Sequence, residues 1–512
     1  MGTTLTLMPA GAGWAQDGAA RSASIELAAV GSFELSPLIF GQFIEFLGRG
    51  IEGGVFDPGS ALADADGFRR DVLEKVDGLK PPILRFPGGT YTKIYHWRDG
   101  IGPVAQRPTR PNLIWKGNVT NHFGTDEFVR YCRRLGAAPF VTVSMGVGTA
   151  EEAANWVEYC NNAVGTSYAN ERARNGSPEP HKVHYWGLGN EENAREDAGR
   201  LQDPEAYVKE AWLCAKLMKL QDPSISLIAA GAEADWNRTI LKGLHPVVDY
   251  VSSHLYISTE NDNPLTLITK ADACEDKIDE VRAQIDALAP RKVENFSQWY
   301  RFPPRAKPLM ISLDEIGIWE TEGASVRGLE NTYNWAHALA TATLYNIMIR
   351  NGDVVGMATW AQTVNTLAPI MTSPTGSIVQ TIYHPMVLYR QLVGTRGLKV
   401  AVQSPPIRLP GAMDRPSLDA SASVREADGR VTVFVVNRHP DRAIAADLPA
   451  TLVAKAKSVQ AHRLSSSGLR NTNELSRPQT DVVSTWRSAR MRAPRRYTFE
   501  PMSITALCFQ MA

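Results

Sequence analysis

Short apolar runs recur along the first three-quarters of the chain, each closed by polar or turn-forming residues. They occupy positions 38–43, 82–86, 139–144, 183–188, 226–230, 250–255, 308–313 and 354–360. Each has the length of a strand. Between several of them lie stretches with helix-like character, at 126–135, 150–162, 205–220, 267–288 and 329–350. Strands alternating with helices predict a parallel sheet with helical crossovers. Eight such strands predict an α/β fold, a (β/α)8 TIM barrel. After about residue 395 the rhythm changes. Positions 431–437 and 503–509 read as strands, and Asp428-Gly429 supplies a turn between strand candidates. This predicts an accessory all-β domain, a sandwich. Positions 23–33 are also strand-like and are expected to pair with that second domain. The predicted organisation is a tail at 1–22, a catalytic barrel at 38–395 and a sandwich made from 23–37 and 396–512.

Barrels of this kind carry their active sites at the C-terminal strand ends, so the polar residues there are informative. The first run leads to Glu45. The second contains Arg85 and leads to Pro87-Gly88-Gly89. The fourth ends in Asn190-Glu191, and the sixth contains His254 and leads to Tyr256. The seventh ends in Asp314-Glu315, and the eighth leads to Gln362. Glycoside hydrolysis needs two carboxyl groups flanking the scissile bond, and Glu191 and Glu315 are the pair that qualifies. Asn190 is placed to donate to a sugar hydroxyl, Tyr256 to hold Glu315, and Arg85 and Glu45 to pair beneath the site. Trp97, Trp115, Trp319 and Trp360 are candidate platforms for sugar rings. Other chemistries lack their motifs. There is no GxSxG elbow and no GxxxxGK[ST] loop. His181, His184 and His254 do not make HExxH, so no metal site is expected. The glycines at 48–54 do not follow the dinucleotide fingerprint.

Composition narrows the partners. The 512 residues carry 54 Lys plus Arg against 54 Asp plus Glu. That balance gives no footprint for nucleic acid or an anionic membrane, and it suits a neutral substrate. The five cysteines are widely spaced with no CxxC pair, which predicts buried thiols rather than a disulfide framework or zinc site. No apolar run approaches the roughly 20 residues of a membrane helix. Positions 5–15 (LTLMPAGAGWA) resemble the tail of a secretory signal without its basic start. The expected location is periplasmic or secreted, with the cytoplasm as the alternative.

Taken in order, the motifs resemble glycoside hydrolase family 51. The matching segments are GQFIEFLGRGIEGGVFD (41–57), LRFPGGTY (84–91), YHWRDGIGP (95–103), YWGLGNEEN (185–193), DYVSSHLY (249–256), LDEIGIW (313–319) and AQTVNTLAPIMT (361–372), with YTFEPMSITALCF (497–509) closing the sandwich. The resemblance covers roughly residues 24–511. It implies that Glu191 is the acid/base and Glu315 the nucleophile. It places Glu45, Arg85, Asn190, Tyr256, Trp319 and Gln362 in the pocket or its support, with Thr90 at a further pocket position. It implies a barrel plus a jelly-roll sandwich, no cofactor, and release of terminal α-L-arabinofuranosyl groups from oligo- or polysaccharides with retention. Many members of the family form hexamers. Two positions depart from the family's pattern. Phe46 stands where a His is common, and Thr90 where an Asn is common. A Thr makes fewer hydrogen bonds, so D-galactofuranoside, xyloside and glucan cleavage stay open as alternatives, as does sugar binding without turnover. In the free enzyme Glu191 is expected to titrate above the usual carboxylate range, raised by the like charge of Glu315.

Overall fold

The structure, a computed structural model, describes residues 23–194, 199–260, 262–288, 308–320, 329–408 and 414–511. Eight strands form a closed parallel barrel. They are β1 (Gly41–Phe43), β2 (Ile83–Phe86), β3 (Ala138–Val143), β4 (Tyr185–Leu188), β5 (Ser226–Ala229), β6 (Tyr250–Ile257), β7 (Met310–Ile318) and β8 (Val355–Ala361). All eight predicted runs thus become barrel strands. The first is shorter than its run because Pro37–Phe40 coils into a 3₁₀ turn, capped by Ser36 on the Leu38 N–H. By contrast, β6 and β7 outlast their apolar runs. The polar residues that seemed to end them continue the ladder and turn their side chains into the barrel mouth.

The helices show where pattern reading falls short. The stretch at 267–288 is two helices, Pro264–Lys270 and Ala273–Asp286. At the break, the Asp272 carboxylate takes a 2.6 Å bond from Arg438 of the accessory domain. Helices at Arg70–Leu79, Ser167–Arg174, Ala234–Leu244 and Tyr383–Leu392 add to the predicted stretches, and the first buries Val72, Val76 and Leu79 at helical spacing. Helix Trp335–Arg350 is the opposite case, buried on every side except Arg350. One flank packs on the barrel. The other meets the accessory sheet, where Asn346 donates to Asp419 at 2.7 Å.

The accessory domain is one continuous nine-stranded sheet. Strand Ala23–Glu34 lies within it, antiparallel to Arg396–Gln403 and parallel to Ile444–Asp447. Ile25, Val433, Ala446, Phe499 and Leu507, from five different strands, share a single core, so the sheet must curl around it. On strand Arg430–Asn437, residues 431, 433 and 435 enter that core, while Phe434 and Val436 face the barrel's helices. Phe434 stacks on Tyr389 at 4.2 Å between ring centres. The sandwich is therefore fastened to the barrel by the outer face of its own sheet. All five cysteines are buried and free. No helix among the described residues is long and apolar enough to cross a membrane. Positions 5–15 lie outside the described residues.

Candidate active site

The barrel is plugged at its base by Ile83, Phe140, Ile228 and Met357. Strand side chains alternate, so Arg85 points the same way as Ile83, one layer higher. It is wholly buried, with its guanidinium 4.7 Å from the centre of the Phe43 ring and 5.7 Å from that of Phe140. A cation removed from water is tolerated only with full pairing, and Arg85 has it. Nη1 donates to the Asp314 carbonyl (2.8 Å) and to Glu315 Oε1 (3.0 Å), and Nη2 donates to Asn190 Oδ1 (2.5 Å). The Asp314 carboxylate lies 3.8 Å away. The expected Arg85–Glu45 pair does not form. Arg85 is claimed by the seventh strand, while Glu45 is held by the Tyr91 N–H (3.0 Å), Trp115 Nε1 (3.1 Å) and Gln362 Nε2 (2.8 Å).

Asp314 and Glu315 are neighbours in sequence, yet both face the site. The ladder slips on both sides of β7, between Leu313 and Ile316 toward β8 and between Ser312 and Glu315 toward β6. Such a bulge re-aims side chains that would otherwise alternate. Opposite them, β6 presents Ser252, His254 and Tyr256 on one face at period two. Ser252 hydroxyl donates to Asp314, and Tyr256 hydroxyl donates to Glu315 Oε2 at 2.8 Å. His254 Nδ1 bonds Glu191 Oε1 at 2.7 Å and stands 3.6 Å from Glu315 Oε2, and its Nε2 lies 3.5 Å from Asp314. The sequence named His254 without giving it a role. The signal was available, since it shares a strand face with Tyr256.

His254 reverses one expectation. Burial works to raise the Glu191 carboxyl, but the hydrogen bond and charge of His254, with Lys93 and Arg85 behind it, outweigh burial and leave it below the usual carboxylate range. His254 is correspondingly held well above an ordinary histidine: burial opposes its charge, but Glu315, Asp314 and Glu191 together favour it. The acid/base candidate therefore shares its proton with a histidine, and the two titrate as a pair.

The Pro87-Gly88-Gly89 turn forms a wall of the pocket. A Cβ on Gly88 would meet Glu45 Cγ at 2.7 Å, and one on Gly89 would meet Glu315 Oε1 at 2.4 Å. Bare backbone is what lets this loop approach both carboxylates. Thr90 follows, buried at the first position of the 3₁₀ turn Thr90–Ile94. Trp319 packs edge-on against Tyr256, with ring centres 5.6 Å apart. Asn190 Nδ2 and Gln362 Oε1 are buried and lack a hydrogen-bond partner.

Three aromatic residues are structural instead. Trp97 stacks on Trp156, and Trp360 is buried in β8. Phe46 packs among Phe86, Tyr91 and Tyr95, with centroid distances from 5.2 to 5.9 Å. It belongs to the aromatic core. Glu191, His254 and Glu315 are the one group among the described residues with ligand atoms spaced for a metal ion, all within 4.8 Å. Within it His254 bonds Glu191, while Glu315 is bonded by Arg85 and Tyr256.

Glu45 is the titrating group with the clearest consequence for stability. Burial, aided by the charge of Glu315, pushes it to about 7, against the lowering bonds of Tyr91 and Trp115. The native state therefore holds this proton more tightly than the unfolded chain. Its stabilising contribution is complete below about pH 4.5 and is lost as pH rises through about 7. In Glu45→Gln the corresponding decline in Tm across that window is expected to flatten. Superimposable Tm–pH profiles for variant and parent would rule this out.

Two facing carboxyls at the C-terminal mouth of an eight-stranded barrel, in a cradle of buried hydrogen-bonding side chains, define a barrel glycoside hydrolase. The family description "Alpha-L-arabinofuranosidase 1 domain" matches residues 75–277, and "Alpha-L-arabinofuranosidase C-terminal domain" matches residues 314–503. The chain is 39% identical to alpha-L-arabinofuranosidase C of Emericella nidulans, over 81% of this chain and 84% of that one. It is 34% identical to the intracellular exo-alpha-(1->5)-L-arabinofuranosidase of Halalkalibacterium halodurans, over 79% and 82%. The solved structure of the GH51 alpha-L-arabinofuranosidase from Thermotoga petrophila superposes with a TM-score of 0.84 at 32% identity, covering 95% of this chain and 100% of that one. The chain belongs to glycoside hydrolase family 51, the α-L-arabinofuranosidases.

Proposed function

We propose that this enzyme removes terminal α-L-arabinofuranosyl groups from arabinose-bearing oligo- or polysaccharides, by double displacement with retention. The observation that carries the reading is the approach of Glu191 and Glu315, one carboxylate oxygen of each lying within 4.8 Å of the other. An inverting pair stands roughly 6.5–9.5 Å apart to admit water, and a retaining pair roughly 5–5.5 Å. In the first step a Glu315 oxygen bonds to the anomeric carbon as the glycosidic C–O bond breaks, and the Glu191–His254 pair delivers its proton to the leaving oxygen. Arg85 and Tyr256 hold Glu315 in line for attack. Forming the ester removes the Glu315 charge, which is the largest influence keeping His254 protonated. Glu191 then accepts a proton from water as that water displaces Glu315. Asn190 Nδ2 and Gln362 Oε1, with Glu45, supply the donor and acceptors a furanose hydroxyl requires. We assign residues 38–395 to the catalytic unit and 23–37 with 396–512 to the accessory one.

The test is a matched panel of aryl glycosides: α-L-arabinofuranoside, β-D-galactofuranoside and β-D-xylopyranoside. Clear preference for the first is expected. Preference for another would overturn the sugar assignment and turn attention to Thr90. Binding of arabinose without turnover of any would overturn the enzymatic reading.

A further inference from the structure

Lys93 is charged, 1% exposed and absent from the mechanism above. Its Nζ donates to the backbone carbonyl of Glu191 at 3.0 Å. That carbonyl also accepts the Ala194 N–H at 2.9 Å. Glu191 itself has φ of +46°, a left-handed conformation that side chains other than glycine resist, at a cost on the order of 1 kcal/mol or more. Such a conformation persists only where the surroundings impose it. Lys93 is well anchored for this purpose. Its own carbonyl accepts the Ser144 hydroxyl and the Val147 N–H, each at 3.0 Å. The residue thus ties three successive loops together, those following β2, β3 and β4. The next residue, Glu192, is fully buried, and one of its carboxylate oxygens lacks a hydrogen-bond partner. Lys93 is a cation within electrostatic reach of both glutamates.

Resting on the assignment of Glu191 as acid/base, we propose that Lys93 is a positioning residue. Its buried ammonium clamps the Glu191 carbonyl, fixes the left-handed turn and so aims the Glu191 carboxyl at the leaving oxygen. The groups around that carboxyl are His254 and Tyr256 from β6, Arg85 from β2, Glu315 from β7 and Lys93 itself, with Glu192 next in the chain. Among the three cations, only Lys93 grips the backbone of Glu191 itself.

The experiment compares Lys93→Met and Lys93→Gln with the parent and with Glu191→Ala, on a series of arabinofuranosides from 2,4-dinitrophenyl to alkyl leaving groups. Protonation matters most for poor leaving groups. Lys93→Met should lose kcat/KM by about tenfold or more on alkyl substrates and much less on the dinitrophenyl one. Its basic limb should move upward by about half a pH unit or more, since a cation near the acid has gone. Lys93→Gln keeps a donor for the carbonyl without the charge. It should regain most of the alkyl activity while keeping the shifted limb, and it decides the matter if the Met variant does not fold. An equal loss on every substrate with an unmoved pH profile would overturn the proposal and leave Lys93 a packing residue. So would full activity in both variants. If Glu191→Ala itself showed no leaving-group dependence, the acid/base assignment would fail first. If Glu191→Ala does show it and the Lys93 variants do not, only the proposal about Lys93 fails.

Discussion

Glu315→Ala is expected to lower turnover on the order of 10⁴-fold or more on every arabinofuranoside, whatever the leaving group. The side chain that would form the covalent bond is gone, and the neighbouring Asp314 carboxylate is held by Ser252 beside Arg85 and His254. Tyr256 and Arg85 keep their places but lose the oxygens they bond at 2.8 and 3.0 Å. Azide should enter the vacated space and attack the anomeric carbon from the nucleophile's side. On a substrate with a good leaving group it should restore turnover and give the arabinofuranosyl azide of inverted configuration. Steady-state rates and the proton NMR spectrum of the product check both points. A Glu315→Ala enzyme with more than a few per cent of parent activity, or an azide product of retained configuration, would remove Glu315 from the nucleophile's role.

Arg85→Met is expected to damage stability and catalysis together. Methionine fits between the Phe43 and Phe140 rings, so packing is largely kept. What is lost is the one cation that satisfies Asp314, Glu315 and Asn190 at once. Breaking a buried ion pair by removing one partner costs about 3–5 kcal/mol, because the remaining charge stays buried. Asp314 feels this directly. Burial alone would raise it, and Arg85 first, then His254 and Ser252, hold it below the ordinary aspartate value. Its folded value is depressed, so its stabilising contribution is present above the unfolded value and is lost as pH falls through the folded one. The stability deficit of Arg85→Met should therefore be greatest at neutral pH and shrink as the medium is acidified. Activity should fall on the order of 10²-fold or more, since Glu315 and Asn190 lose their shared anchor. Urea titrations at several pH values, with kinetics beside them, measure both effects. A deficit independent of pH would mean that Arg85 acts through packing alone.

Much of this architecture was legible before any coordinates. The spacing of eight apolar runs predicted a barrel, because a strand buried on both faces has to be apolar throughout. The polar residues at the run ends located Glu45, Arg85, Asn190, Glu191, Tyr256, Glu315 and Gln362, because a barrel gathers its strand ends on one face. His254 was equally readable by strand alternation from Tyr256, and went unassigned only because a lone histidine carries no motif.

Other features had no linear signal. That Arg85 serves β7 rather than Glu45 depends on a bulge that turns Asp314 and Glu315 inward together, and a bulge has no residue signature of its own here. That Phe46 is core rather than pocket depends on three rings from distant positions closing over it. The sign of the Glu191 shift was decided by which charge stands nearest. Sequence showed a second carboxylate, which would raise it. The fold placed an imidazolium closer than that carboxylate, and electrostatic effects follow distance and burial in three dimensions. The sequence by itself therefore determined which groups are present and which strands carry them. The tertiary structure alone decided which of those groups touch, and hence where the protons and charges sit.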